Sequence, residues 1–421
     1  MRRIYTVLLY LFIPFILLRL YWKGRHLPAY RQRISERFSC GAIASPQVDV
    51  WLHAVSLGEV IAATPLIERL LENKWRVLVT TMTPTGSAQV VQRFGQRVSN
   101  QYVPYDFPWA LRRFFNTIQA RVGIIMETEL WPNLIMEASN AGVCLFLANA
   151  RISNGAFKQY EGIRFLLKPV LNRFSFILPQ SQLDADRFIA LGAPSDRVRM
   201  LGNMKFDLHV TAAHAAVVAL LKQAWGGTRT VVIAASTHEG EERQLLSVFR
   251  QLQQAIPDVL LLIAPRHPER FQSVYLLCQQ HGLKTGLRSD ASSLNHENDI
   301  VVIDSLGELL SFYAVSDYAF VGGSWVPAVG GHNVLEAIAL GVPVFCGSHM
   351  QNSQAIIDAL LEAHAIEQVA DAALLVAAMV ALHHNPALRR GQVDRATSIL
   401  VANQGAVSRH LDSIQLYMKK I

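Results

Sequence analysis

Several common signatures are missing from this sequence, and each absence argues against a class of protein. Four cysteines (Cys40, Cys144, Cys278 and Cys346) are far apart and mostly in apolar surroundings, which indicates reduced thiols rather than a disulfide framework. No G-x-G-x-x-G follows a predicted strand, and no G-x-x-x-x-G-K-[ST] occurs, so a dinucleotide-dependent dehydrogenase and a P-loop hydrolase are disfavoured. Without an H-E-x-x-H or a Cys/His cluster, we expect no metal site.

Charged residues are also scarce, at 17% against 51% hydrophobic residues, which excludes a mostly disordered chain. The net charge of +7 nevertheless indicates an anionic partner, which can be a membrane surface, an acidic substrate or a nucleic acid. Zinc-finger spacing, a basic helix and an aromatic RNA-binding signature are all missing, so we expect no nucleic-acid partner. With 421 residues the chain is long enough for two domains.

The N-terminus carries an uncharged apolar run over residues 4–18, followed by Arg19, Lys23 and Arg25. A full membrane span needs about 20 apolar residues, so this run is short unless Arg19 extends to the interface. No small-x-small cleavage site follows, which disfavours a signal peptide, and the basic residues favour a cytoplasmic main body. We interpret residues 1–25 as a membrane-anchoring helix, with a buried core helix as the alternative.

Short apolar runs alternate with helical stretches in both halves of the chain, a pattern that predicts parallel, doubly wound sheets and an α/β fold. Ligands of such sheets bind beyond the carboxyl ends of the strands, and polar clusters follow these ends throughout the sequence. The predicted strands are 48–55, 76–81, 122–126, 143–148, 174–179, 228–235, 259–264, 299–303, 318–321 and one that begins at residue 342.

A glycine-rich stretch over residues 320–336 connects a predicted strand to a helix from Asn333. Glycines let a ligand approach the backbone, and N–H groups at a helix start favour an anion. Asn333 and Glu336 share one face of the first turn, so Glu336 can accept a hydrogen bond from a ribose hydroxyl. The alternative is a tight turn followed by a capped helix.

Ser56-x-x-Glu59 after the first strand admits two interpretations. As a capping box, it would keep Glu59 ionised and lower its basicity, whereas a general base needs a pKa near the working pH. Gly58 is unfavourable in a helix, so its presence indicates that a ligand or another group approaches the backbone closely at this position. Ser181-x-x-Asp184 has the same form, and we interpret its D-x-D as a helix start rather than a metal motif.

Other polar residues at strand ends have open roles. Glu127 and Glu129, two residues apart, would share a face of a strand and could hold a cation, bind sugar hydroxyls or stabilise a positive transition state; a solvated loop edge is the alternative. Lys205 could neutralise a carboxylate or phosphate, or be simply exposed. Arg266 offers a fork for a phosphate or carboxylate.

Taken together, seven ordered motifs closely resemble the Kdo transferases, the 3-deoxy-D-manno-octulosonic acid transferases of lipopolysaccharide synthesis. They are 51–59 (WLHAVSLGE), 127–133 (ETELWPN), 149–153 (NARIS), 202–205 (GNMK), 265–267 (PRH), 306–308 (LGE) and 330–336 (GGHNVLE). The resemblance implies a GT-B fold, with two Rossmann-like domains facing across a cleft. Residues 26–207 would bind the acceptor and residues 208–421 the donor, with a hinge around residues 203–211.

By the same resemblance, Kdo moves from CMP-Kdo to the tetraacyl lipid A precursor with inversion and without a metal or other cofactor. The reaction would take place at the cytoplasmic side of the inner membrane of a Gram-negative bacterium. Glu59 would be the general base, and Glu129 and Lys205 would stabilise the transition state. The nucleotide contacts would be Pro265, Arg266, Leu306, Gly307, Glu308, Asn333, Val334, Leu335 and Glu336.

One departure is Leu306, where relatives often carry Met. The alternatives are a non-catalytic lipid A or nucleotide-sugar binding protein on the same fold, another GT-B sugar transferase, or a nucleotide-sugar epimerase.

Overall fold

A computed structural model describes residues 2–41, 47–207, 215–225, 229–290 and 295–418. The chain divides into two compact units, Met1–Asp207 with Asn403–Ile421, and Leu208–Ala402. Part of the predicted hinge, residues 208–211, lies outside the described residues. Assigning residues 403–421 to the second domain was wrong, because the last helix packs into the first unit.

The first unit is built on a parallel six-stranded sheet in the order β3-β2-β1-β4-β5-β6. Its strands are β1 (Val50–His53), β2 (Val77–Thr81), β3 (Ser99–Tyr102), β4 (Val122–Met126), β5 (Cys144–Ala150) and β6 (Phe174–Pro179). Its helices are α1 (Arg2–Leu11), α2 (Ile13–His26), α3 (Leu57–Glu72), α4 (Pro84–Phe94), α5 (Pro108–Ile118), α6 (Pro132–Asn140), α7 (Asn154–Gly162), α8 (Arg164–Leu171) and α9 (Gln182–Ala190).

The second unit contains a parallel seven-stranded sheet in the order β13-β12-β11-β7-β8-β10-β9. Its strands are β7 (Thr230–Thr237), β8 (Val259–Pro265), β9 (Thr285–Leu287), β10 (Ile300–Val302), β11 (Tyr318–Val321), β12 (Val344–Cys346) and β13 (Glu367–Gln368). Its helices are α10 (Ala215–Ala224), α11 (Glu241–Ala255), α12 (Phe271–Gln280), α13 (Leu309–Tyr313), α14 (Leu335–Ala339), α15 (Gln354–Glu362), α16 (Ala372–His384) and α17 (Pro386–Asn403).

The C-terminal helix α18 (Ala406–Met418) completes the first unit. It packs against α3, and its Val407, Leu411 and Ile414 are buried among the apolar residues of that unit. Asp207 fixes its start by accepting hydrogen bonds from the backbone N–H groups of Gly405 and Val407. The apolar residues of α18 therefore pack into the first unit, although the helix follows the second unit in sequence.

In both units the central strands are buried on both faces, as expected for sheets covered by helices on each side. Strands β1, β4 and β5 are fully buried in one unit, and β8 and β11 in the other. Strand order reverses at β1 and at β7, so the loops that follow these strands and their neighbours share one edge of each sheet. The two parallel α/β units agree with the predicted fold class.

The N-terminal segment forms two helices rather than the single anchoring helix expected. No single described helix has the length and apolar character to cross a bilayer; α1 and α2 meet those criteria only as a pair, bent by 54°. One side of α1 is attached to the first unit, where Arg2 pairs with Glu137 and the Tyr5 hydroxyl donates to Asp106 at 2.8 Å. Its other side leaves large apolar side chains exposed: Ile4, Val7, Leu8 and Leu11.

Candidate functional site

Polar side chains gather in the first unit where β1, β4 and β5 end. Glu59 lies in the first turn of α3 after β1, Glu127 and Glu129 follow β4, and Arg151 follows β5. Because β1, β4 and β5 are adjacent in the sheet, their loops meet at one edge. The sequence prediction brought these loops together correctly.

Ser56 caps α3, as predicted, and its hydroxyl oxygen accepts from the Glu59 backbone N–H at 3.4 Å. The Glu59 carboxylate accepts from the Ser56 hydroxyl and from the Val55 N–H, each at 2.9 Å. Only 8% of Glu59 is exposed. These contacts fix the carboxylate in one orientation at the helix start.

The surroundings of Glu59 nevertheless raise its pKa to about 7. Burial is the largest cause, and the nearby charges of Glu129 and Glu127 add to it, against the opposing hydrogen bonds from Val55 and Ser56. The hydrogen bonds of the cap lower the pKa of Glu59, as expected, but burial and the like charges outweigh them. Glu59 both caps the helix and has the pKa of a general base near neutral pH.

Glu127 lies between two cations, with Arg151 donating to one carboxylate oxygen at 2.7 Å and the Lys205 ammonium 3.6 Å from the other. Its backbone has a positive φ of 53° just past the end of β4. The prediction that Glu127 and Glu129 share a face of a strand was wrong, because both lie beyond the end of β4 and the chain turns at Glu127 through a left-handed conformation. Arg151 and Lys205 therefore place two cations beside Glu127.

Glu129 is half-buried and accepts a hydrogen bond from the Trp131 indole N–H at 2.7 Å. Burial raises its pKa, and the charge of Glu127 adds to that effect. Three carboxylates of different character therefore share this edge of the sheet. Glu127 is ion-paired, whereas Glu59 and Glu129 resist ionisation.

Lys205 is positioned by residues distant in sequence. It belongs to a turn of 3-10 helix, Met204–Phe206, whose first N–H donates to the Asn149 side-chain oxygen at 3.0 Å. The Asn149 N–H donates to His410 Nε2 at 3.1 Å, which makes Nδ1 the protonated nitrogen toward the Ala406 carbonyl. Burial lowers the pKa of His410 to about 4 and keeps it neutral. Asn149 and His410 are supporting residues that the sequence analysis did not assign.

In the second unit, the loops after β7 and β11 are tied together by Glu241, the first residue of α11. Its carboxylate is fully buried and accepts four backbone N–H groups, those of His238, Gly323, Ser324 and Trp325, at 2.7–3.1 Å. A side chain at Gly322 would come within 2.8 Å of this carboxylate, so the glycine is required for the contact. Sequence analysis missed Glu241; its only signal was an acid at a helix start directly after a strand.

Several backbone N–H groups of the glycine-rich stretch are not free to bind an anion. Those of Gly323, Ser324 and Trp325 donate to Glu241. At the helix start, where an anion was expected, that of Leu335 donates to the Asn333 side chain at 3.1 Å. Val334 and Leu335 are buried in the core, so neither side chain is presented to a ligand.

Asn333 and Glu336 are brought together, as predicted. The Asn333 amide donates to the Glu336 carboxylate at 3.1 Å. Burial raises the pKa of Glu336, and the Arg266 charge opposes this effect. Arg266 follows β8 and Glu336 lies in α14 after β11, so both are at the same edge of the second parallel sheet.

Arg266 follows Pro265, which ends β8, and its backbone N–H donates to Thr237 at 3.0 Å. Across the described ranges its guanidinium forms no hydrogen bond or ion pair. Arg270, one turn further, is instead committed to buried Glu242 through two bonds at 2.7 and 3.0 Å. Of the two arginines, Arg266 is the one available to an anion.

Three histidines surround this position. His238 and His332 stack, with their Nε2 atoms 2.8 Å apart, and His267 packs edge-on against His238. Burial lowers the pKa of His332 to about 3, assisted by the charge of Arg266, and the pKa of His238 also falls. His238 and His332 are therefore neutral hydrogen-bonding groups. The sequence analysis assigned no role to any of the three.

The predicted loop 306–308 follows β10. Leu306 is exposed, Gly307 has a φ of 85°, and Glu308 is bound to Arg288 at 2.9 Å and to the Ser305 hydroxyl. Both Glu308 oxygens are occupied, so the backbone rather than this carboxylate is available to a ligand.

The D-x-D is structural, as interpreted: Ser181 caps α9, and the Asp184 carboxylate accepts from the Ile152 N–H at 2.8 Å. Among the residues the structure describes, no three His, Cys, Asp or Glu side chains lie together in a way that could hold a metal ion.

Comparisons with known proteins agree with this arrangement. A family described as 3-deoxy-D-manno-octulosonic-acid transferase (kdotransferase) matches residues 32–208, and glycosyl transferases group 1 matches residues 227–398. A 3-deoxy-D-manno-octulosonic acid transferase of Haemophilus influenzae is 37% identical over 100% of this chain and 99% of its own length. One from Bordetella pertussis is 34% identical over 98% of this chain and 99% of its own.

A crystal structure described as a putative UDP-N-acetylglucosamine 2-epimerase from Listeria monocytogenes has a TM-score of 0.58. It is 12% identical and covers 89% of this chain and 98% of its own, so this likeness concerns the fold alone. The sequence relatives are stronger evidence for the family, because the similarity extends over nearly the whole chain. The first family match also covers the loops that hold Glu59, Glu127 and Lys205. The chain therefore belongs to the 3-deoxy-D-manno-octulosonic acid transferase family.

Proposed function

We propose that this Kdo transferase of lipopolysaccharide biosynthesis moves Kdo from CMP-Kdo to the tetraacyl lipid A precursor with inversion of the anomeric centre. The observation that carries the proposal is Glu59, a carboxylate fixed by two hydrogen bonds whose pKa is raised to about 7. A purely structural cap gains nothing from a raised pKa, whereas a base that must accept a hydroxyl proton near neutral pH does.

In the proposed reaction a hydroxyl oxygen of the acceptor attacks the anomeric carbon of Kdo. Its proton passes to Glu59 as the new carbon–oxygen bond forms. The bond between the anomeric carbon and the phosphate oxygen of CMP breaks on the opposite face, and CMP leaves with the electron pair. Attack opposite the leaving group inverts the configuration.

Glu129 and Lys205 are proposed to stabilise charges that develop in the transition state. Positive charge develops on the sugar as the bond to the leaving group stretches, and a nearby carboxylate such as Glu129 stabilises that charge. Lys205, held beside Glu127 at 3.6 Å, supplies a cation for the Kdo carboxylate or the departing phosphate.

The second unit is proposed to hold the CMP moiety, with Arg266 as the main partner of its phosphate because that guanidinium has no hydrogen-bond or ion-pair partner among the described residues. The backbone of residues 306–308 would contact the base, and Glu336 would accept from a ribose hydroxyl. Since the reacting hydroxyl must reach the anomeric carbon, the proposal requires the two sites to act together during turnover.

We further propose that α1 and α2 attach the enzyme to the cytoplasmic side of the inner membrane of a Gram-negative cell. The support is the row of exposed apolar side chains on both helices, including Phe15, Leu18 and Trp22 at 60–68% exposure. Such a face together with nearby basic residues is typical of interfacial helices. It would place the enzyme where a lipid acceptor resides.

No metal or other cofactor is part of the proposed reaction, since Arg266 and Lys205 supply the positive charge that phosphate departure needs. The proposed partners are the donor, the lipid acceptor and the membrane, and not nucleic acid.

The decisive experiment incubates the purified full-length chain with the lipid A precursor and either CMP-Kdo or a series of UDP-sugars, followed by mass spectrometry of the lipid. We expect Kdo-bearing lipid from CMP-Kdo alone, and the product mass also counts the Kdo units added. Consumption of a UDP-sugar instead, or binding of CMP-Kdo without any product, would contradict the proposal and favour another sugar transferase or a binding protein.

A further inference from the structure

A cavity of about 160 Å³ lies in the first unit between α2, the segment 28–38 and the loop after β2. Three of its lining side chains are basic, namely Arg19, Lys23 and Arg37, and none of its described lining residues is acidic. Its apolar contribution includes Ile16 and Leu20 from α2. The cavity therefore combines concentrated positive charge with an apolar wall.

Arg37 is the unusual member of this set, because a charged side chain with only 1% exposure normally has a full set of partners. Its Nη1 donates to the Met82 carbonyl at 3.0 Å, and its guanidinium lies 3.9 Å from the centre of the Tyr102 ring. Its Nε and Nη2 are buried without a hydrogen-bond partner. In the described part of the chain Arg37 has no ion pair, so two donors of a buried cation remain unsatisfied.

Leaving a buried charge unpaired is costly, so a site of this kind is best explained by an anionic ligand. A guanidinium presents donors in a planar fork that matches phosphate oxygens. Lys23 and Arg19 add two further cations from α2, which is more charge than a single carboxylate requires. A phosphate group satisfies this arrangement.

The surroundings of the cavity indicate that the phosphate belongs to a lipid. On α2, Phe15, Leu18 and Trp22 are 60–68% exposed, so the helix that carries Arg19 and Lys23 also carries an apolar surface. A soluble phosphate has no apolar part that could contact that surface, whereas a lipid would place its headgroup in the cavity and its chains along α2.

We propose that this cavity is a binding site for the phosphate headgroup of a membrane lipid. Hydrogen bonds connect the cavity to the candidate base. The Met82 carbonyl accepts from Arg37, and the Met82 N–H donates to the Val55 carbonyl at 3.0 Å. The Val55 N–H in turn donates to Glu59 at 2.9 Å. A headgroup held by Arg37 therefore lies at a fixed position relative to Glu59.

The test measures binding of dihexanoyl phosphatidic acid to the full-length protein in a non-ionic detergent by titration calorimetry. This short-chain lipid is used below its micelle concentration, so that no charged membrane surface contributes. Because replacing buried Arg37 risks unfolding, the variant removes the two exposed cations, as R19Q/K23Q. Its matched control, R25Q/R31Q, removes two cations of the same region that do not line the cavity.

We expect saturable 1:1 binding by the wild type, a dissociation constant raised about tenfold or more in R19Q/K23Q, and little change in the control. Dihexanoyl phosphatidylcholine and inorganic phosphate should each bind at least about tenfold more weakly, since one lacks net charge and the other lacks chains. Equal losses in both double variants, no saturable binding, or equally tight binding of either comparison ligand would overturn the proposal. No donor or acceptor sugar enters this measurement, so its result is independent of the proposed reaction.

Discussion

Replacing Glu59 by Gln separates the two roles assigned to this residue. The amide has the same shape, and its oxygen can accept from the Val55 N–H while its NH2 donates to the Ser56 oxygen, so the hydrogen-bonded cap is kept. What is lost is the ability to take a proton. We therefore expect E59Q to fold normally and to lose about 10²–10⁴ in kcat, the usual range for a missing general base.

The same change should alter stability with a defined sign. Glu59 has its pKa raised from 4.5 to about 7, so its ionisation costs the folded state about 3 kcal/mol relative to the unfolded chain. That cost is absent below about pH 4.5, grows as the pH rises, and is complete above about pH 7. Because Gln never ionises, E59Q should match the wild type at low pH and exceed it by up to about 3 kcal/mol at pH 8.

The assays are initial rates of Kdo transfer at saturating substrates and urea unfolding, both followed from about pH 5 to pH 8. Below about pH 7 the wild-type rate should fall about tenfold for each pH unit, as its base becomes protonated. E72Q, at an exposed glutamate on the same helix, should change neither quantity. A flat wild-type profile, or wild-type turnover by E59Q, would show that the carboxylate is only a cap.

Further outcomes follow from the second unit. Arg266→Gln should raise the KM for CMP-Kdo about tenfold or more with unchanged stability, since its guanidinium has no partner among the described residues. Arg270→Gln should instead lower the free energy of unfolding in urea by about 3 kcal/mol, because it leaves the buried Glu242 carboxylate without its ion pair. Equal effects of the two substitutions on KM would refute these separate roles. Glu241→Gln should lower that free energy by about 3 kcal/mol or more, because an amide cannot accept all four N–H groups; wild-type stability would contradict it. Incubation with EDTA should leave the transfer rate unchanged, and a loss restored by a divalent cation would refute metal-independence.

Sequence patterns located the central strands well because these are buried apolar runs. The predicted strands 122–126 and 318–321 coincide with the central strands β4 and β11. The predicted strand 174–179 coincides with β6, an edge strand that is itself apolar. The edge strands β3 and β13 were missed because they carry little apolar signal: β3 reads Ser-Asn-Gln-Tyr and β13 is only Glu-Gln. These strands join the sheet through backbone pairing at its border, which no hydrophobic period reveals.

The residues of the candidate site were found from motifs, but their contacts and backbone conformations could not be predicted from them. Whether Lys205 is an exposed linker residue or a positioned cation depends on Asn149 and His410, and the latter lies 205 positions further along the chain. The left-handed backbone of Glu127 was equally hidden, because a glutamate carries no preference that predicts it. Contacts of this kind depend on the folded sheet rather than on neighbouring residues.

A comparison of Glu59 with Glu241 shows what separates a base from a structural carboxylate. Each lies in the first turn of the helix that follows the central strand of its sheet, so position alone gives both the same expectation. Glu241 is fully buried against four N–H donors with every oxygen occupied. Glu59 has one N–H and one hydroxyl donor and stands near two other carboxylates. The number of donors and the sign of the neighbouring charges decide whether such a carboxylate holds a loop in place or accepts a proton.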